Sequence, residues 1–109
     1  MNTTDAITAL AALAQESRLS TFRLLVQAGP EGLAASKISE ALGAPASSMS
    51  FHLKELTHAG LILPRHEGRF VIYSANFDKM NGLLAFLTEN CCSGASCVPA
   101  PANGWATTD

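Results

Sequence analysis

The chain has 109 residues, 48 % of them apolar and 15 % charged, with a formal net charge of −2 at pH 7. That length holds one domain with a modest core, and the charge excludes a uniformly basic nucleic-acid binder while leaving room for a local basic surface. No run is long and apolar enough to span a membrane, and the N-terminus lacks the pattern of a secretion signal, so a cytoplasmic protein is expected.

Asp5 to Ala14 reads as a first helix, capped by Asp5 or Thr4, with Ile7, Leu10 and Leu13 as its apolar stripe. Residues 16–28 form a second helix that buries Leu19, Phe22, Leu25 and Val26 and ends at Gly29-Pro30, with Glu31-Gly32 in the connecting loop. A short third helix, Ala34 to Leu42, buries Ile38 and Leu42, and Gly43-Ala44-Pro45 supplies a tight turn. The fourth helix lies within residues 45–62. Met49, Leu53 and Leu56 recur at helical spacing and face a core, whereas Ser47, Ser48, Ser50, Phe51, His52 and Lys54 lie largely off that stripe. Gly60 stops this helix. Two short strands follow, Leu61 to Arg65 and Arg69 to Ser74, with His66-Glu67-Gly68 as the turn and Val71 and Tyr73 on one face. Asn76 caps a last helix running to about Asn90, whose broad apolar face is Phe77, Met80, Leu83, Leu84 and Leu87.

These elements describe a mainly α fold with a β-hairpin wing, in the order α-α-α-α-β-β-α: a winged helix-turn-helix. The first and last helices are more apolar than three helices and a hairpin require, and the composition is oily for a small monomer, so they are expected to pair across the two-fold of a homodimer. Residues 1–90 form the DNA-binding and dimerisation domain, 91–97 a cysteine segment, and 98–109 a tail without periodicity, expected to be disordered, in which Trp105 has no assigned role.

A helix that opens on small hydroxyl residues can approach a phosphate backbone or a base edge closely. The candidate contacts to double-stranded operator DNA are Ser47, Ser48, Ser50, His52 and Lys54 on the helix, with Arg65 and Arg69 on the wing. Between Ala46 and Ser74 the cations Lys54, Arg65 and Arg69 outnumber Glu55 and Glu67, so this stretch is locally positive. His52 either touches DNA or hydrogen-bonds within the fold, and Phe51 is expected to be partly buried. His58 and His66 are expected in solvent. A winged helix can also serve protein contacts alone; the serine-rich helix start favours DNA.

The chain resembles the ArsR/SmtB family of bacterial metal-responsive repressors over roughly residues 5–90. The resemblance rests on Ser17-Arg18-Leu19, on Ser48-Met49-Ser50-Phe51-His52-Leu53-Lys54-Glu55-Leu56, and on Ala59-Gly60-Leu61-Ile62. It implies a homodimer that represses transcription from an operator and is released by an inducer. The standard sensing sites of that family are missing. The helix Ala34 to Leu42 carries no cysteine pair, and Phe77 to Asn90 carries no histidine. What remains is Cys91, Cys92 and Cys97, which look like the variant arsenic-responsive branch with C-terminal thiols.

An odd, clustered set of cysteines fits reduced thiols better than a disulfide framework. Thiolates select soft ions. Three of them without a nearby histidine suit a three-coordinate trivalent centre, As(III) as inducer or its relative Sb(III), whereas structural zinc needs a fourth ligand. The bland reading makes Cys91 a small hydrophobe continuing the last helix's apolar face; Cys92 and Cys97 lie in polar, small-residue sequence and do not share it. A redox switch on the same thiols is the alternative. One subunit could supply all three ligands, or the tail could donate across the dimer. A thiol oxidoreductase is the rival outside this class, but the chain has no βαβ unit, no Cys-x-x-Cys and no evident base beside the thiols, so no enzyme is expected.

Overall fold

The computed structural model describes residues 1–94; Cys97, Trp105 and the rest of 98–109 lie outside the described residues. Helix α1 spans Thr3–Leu13. Its cap is Asn2 rather than Asp5 or Thr4: the Asn2 side chain accepts from the Asp5 N–H at 2.8 Å, starting the helix two residues earlier than expected. Helix α2, Glu16–Ala28, keeps its expected bounds. The Gln15 side chain accepts from the Arg18 N–H at 2.8 Å, and Arg18 Nε donates to the Ala12 carbonyl at 2.7 Å, so one arginine ties the start of α2 to the end of α1.

A short strand that the sequence reading assigned to loop and helix, β1 (Leu33–Ala34), follows. It is held by long-range pairing, Leu33 opposite Tyr73 and Ala34 opposite Ile72, a signal two residues cannot carry locally. Gly32 makes that approach feasible. Its φ is +71°, and a Cβ there would collide with the Tyr73 carbonyl. Helix α3 is therefore Ala35–Leu42, and α4 is Ala46–His58. Helix α4 closes as expected at Gly60 (φ 78°): Leu61 N–H bonds the Leu56 carbonyl at 3.0 Å and Gly60 N–H the Thr57 carbonyl at 2.9 Å. This is a Schellman closure, which needs a left-handed residue at that place.

Strands β2 (Ile62–Glu67) and β3 (Phe70–Ala75) form the wing, and the sheet order is β1-β3-β2. Strand β2 runs two residues closer to the tip than expected, whereas β3 begins one residue later, at Phe70. Glu67 pairs with Phe70, so the turn is Gly68-Arg69 rather than His66-Glu67-Gly68. Pro64 is tolerated because β2 is an edge strand. Helix α5, Phe77–Leu87, is capped by Asn76 as expected, its side chain accepting from Lys79 N–H at 3.2 Å. The same amide donates to the Gly60 carbonyl at 2.9 Å, joining the end of the wing to the end of α4. The helix stops three residues short of Asn90, where Asn90, Cys92 and Ser93 take left-handed φ values of 58°, 54° and 57°.

The core is built by Phe22, Leu25, Ile38, Met49, Leu53, Leu56, Leu61 and Ile62, with Ala6 and Ala9 from α1. Two stripes differ from expectation. Helix α1 turns its alanines inward and leaves Ile7 and Leu10 exposed, because Cβ-sized residues let it pack close. On α2, Leu19 is exposed and Thr21 is buried instead. The Thr21 hydroxyl donates to the Ser17 carbonyl at 2.7 Å, which satisfies it within the helix.

Candidate nucleic-acid interface and thiol cluster

Helices α3 and α4, joined through Gly43-Ala44-Pro45, form the helix-turn-helix. Met49, Leu53 and Leu56 are at most 2 % exposed, so the inward face of α4 is the one the periodicity gave. With that face locked, Ser47, Ser48, Ser50 and Lys54 all lie exposed on the outward side. His52 sits at the margin and is half-buried; its Nδ1 is buried and has no hydrogen-bond partner among the described residues. His58 and His66 are exposed, as expected.

The two wing arginines have different surroundings. Arg69 sits exposed in the hairpin turn. Arg65 is engaged twice: its Nε meets Glu67 Oε2 at 2.6 Å, and its Nη2 donates to the Glu31 carbonyl at 3.0 Å. The second bond braces the wing against the loop before β1. Glu67 also offsets part of the charge that Arg65 brings to this surface. On α3, Lys37 pairs with Glu40 at 3.7 Å.

Phe51 was expected to be partly buried. It is 56 % exposed, because at about 100° per residue position 51 falls nearly opposite the Met49, Leu53 and Leu56 stripe. That angle was available in the sequence; the pull of a large aromatic toward the core hid it.

Just past α5 the chain curls into a 3₁₀ turn, Cys91–Gly94. The curl brings Cys91 Sγ and Cys92 Sγ to 3.7 Å. Cys92 is exposed and free. Cys91 is disulfide-bonded, where an odd cluster of thiols led to the expectation of reduced cysteines; its 3.7 Å approach to the free Cys92 is a contact and not that bond. Among the described residues no group of three or more His, Cys, Asp or Glu is placed to hold a metal ion; the three-thiol set extends past them through Cys97.

Three packed helices, a helix-turn-helix whose second helix presents serines outward, and a two-stranded wing define a winged helix-turn-helix DNA-binding protein. A helix-turn-helix domain family model matches residues 13–65. Many solved structures share the fold, among them the following three. HlyU from Vibrio cholerae N16961 is 31 % identical over 79 % of this chain and 94 % of its own, with a TM-score of 0.65. The homodimeric winged helix-turn-helix DNA-binding domain of Mb0332 from Mycobacterium bovis, a possible ArsR-family transcriptional regulator, is 26 % identical over 78 % and 77 %, with a TM-score of 0.65. A possible transcriptional regulator for arsenical resistance is 29 % identical over 72 % and 79 %, with a TM-score of 0.63. No curated protein sequence shows comparable similarity. The chain belongs to the ArsR family of winged helix-turn-helix transcriptional regulators, which bind DNA and are not enzymes. No helix among the described residues is long and apolar enough to cross a membrane.

Proposed function

We propose that this regulator is an As(III)-responsive repressor that binds operator DNA as a homodimer and lets go when Cys91, Cys92 and Cys97 bind trivalent arsenic. The observation that carries the reading is the 3.7 Å approach of the Cys91 and Cys92 sulfurs directly after α5. Once the Cys91 disulfide is reduced, two thiolates so placed, with Cys97 five residues on in the sequence, would offer a soft ion a small chelate. The resemblance to the arsenic-responsive branch supports it, as does a structural relative described as a possible regulator for arsenical resistance.

Helices α1 and α5 supply the dimer surface. Ile7, Leu10, Leu84 and Leu87 are exposed on them, and a second copy of the chain would cover them, as suits a family with a homodimeric relative. The DNA surface is Ser47, Ser48, Ser50, His52 and Lys54 with Arg69; Arg65 acts mainly by bracing the wing. Binding at the cysteines, which directly follow α5, shifts that helix. Because α5 is part of the dimer contact, that shift alters the spacing of the two α4 helices and unfits them for successive major grooves.

The disulfide at Cys91 favours a second reading, in which oxidation of the same thiols is the signal. Native mass spectrometry of the fully reduced full chain, with arsenite and zinc in competition, separates the two. The expected result is a dimer that gains one arsenic per chain with three protons lost per site. Cys91→Ser, Cys92→Ser and Cys97→Ser variants should each keep DNA binding and lose the arsenite response. A reduced dimer that ignores arsenite but loses DNA affinity on peroxide treatment would replace the first reading by the second.

A further inference from the structure

Phe51 occupies the middle of the outward face of α4. At about 100° per residue, Ser47, Phe51, Lys54 and His58 form one stripe opposite the buried Met49, Leu53 and Leu56. Every other member of that stripe is polar and exposed. The Phe51 ring makes an edge-to-face contact with His52, with the ring centroids 5.9 Å apart at 62°. His52 is itself half-buried at the margin of the core.

A DNA major groove offers such a side chain one apolar group, the C5-methyl of a pyrimidine, which in unmodified DNA belongs to thymine. Serines and a lysine satisfy phosphates and polar base edges, but none of them rewards that methyl. We propose that Phe51 is a specificity-determining residue that packs against a thymine methyl in each half-site of the operator. The inference rests on the operator-binding reading of α4 and adds what this face recognises. It also accounts for how a surface with few free cations discriminates among sequences: apolar readout does not depend on phosphate charge.

The test starts with the dimeric full chain and a pool of randomised duplexes, from which the bound sequences are selected. Each selected thymine is then replaced by uracil, which removes only the methyl, and affinity is measured for the native chain, Phe51→Ala and Phe51→Leu. At one thymine per half-site, uracil should weaken the native chain about fourfold, the value for burying a methyl-sized group. Phe51→Ala should be indifferent to that replacement and bind the thymine duplex as the native chain binds the uracil duplex. Phe51→Leu should retain part of the discrimination. All variants should melt with the native chain, since position 51 is exposed. Indifference of the native chain to every uracil, or an unchanged uracil penalty in Phe51→Ala, overturns the proposal and leaves operator binding standing. Failure of the native chain to enrich any sequence overturns both.

Discussion

The outward faces of α4 and of the α1–α5 pair are both exposed, yet their chemistry is opposite. Helix α4 shows serines, a lysine and one aromatic ring. Helices α1 and α5 show Ile7, Leu10, Leu84 and Leu87. Hydroxyls and a cation keep their hydration cheaply and exchange it for phosphates and base edges. Four branched aliphatics gain only by leaving water, and a second copy of the same surface lets them do so. Under the proposed function the two faces go to two partners, DNA and another protomer, and the core between them links the two.

The largest expected effect breaks both faces together. Leu56 is fully buried where α4 turns into the wing, so Leu56→Ala should cost about 2–5 kcal/mol of stability in urea unfolding. A cost under about 1 kcal/mol would mean that the α4 stripe does not anchor the two faces to one core. Next, Leu84→Glu should leave the helical circular dichroism unchanged while weakening self-association roughly 100-fold in sedimentation experiments, since each dimer loses the side chain twice. A dimer of native affinity would remove α5 from the protein-facing side of the comparison. Third, Ser50→Ala with Arg69→Ala should weaken operator binding roughly tenfold at matched salt, with self-association unaffected. The salt dependence should also flatten by about one counterion per protomer. Retained affinity would count against the α4 and wing surface. The smallest effect is that of Arg65→Ala. Its ion pair with Glu67 and its bond to the Glu31 carbonyl are both solvent-exposed, so stability in urea unfolding should fall by no more than about 1 kcal/mol.

Much of the site was legible because α4 obeys a simple rule. Once Met49, Leu53 and Leu56 are taken as the buried stripe, the exposure of Ser47, Ser48, Ser50 and Lys54 follows from helical geometry alone. Phe51 follows from the same geometry, and only its size argued otherwise. Arg65 was not legible. Its carbonyl partner at Glu31 is 34 residues away, so whether it faces DNA or braces the wing depends on a loop that the chain folds back later. The approach of Cys91 to Cys92 was not legible either, because it depends on left-handed residues beyond a helix end that came three residues early.

By itself, the sequence determined the order of helices, the hairpin, the α2 bounds, the Gly60 closure and the inward face of α4. Each of these is set by interactions within a few residues: apolar spacing, a capping side chain, or a glycine free to take positive φ. Only the tertiary structure decided that α1 buries Ala6 and Ala9 in place of its larger residues, that Gly32 admits β1 beside Tyr73, and that Thr21 replaces Leu19 in the core. Those outcomes follow from how closely two distant backbones can approach, a quantity that local propensity and periodicity do not contain.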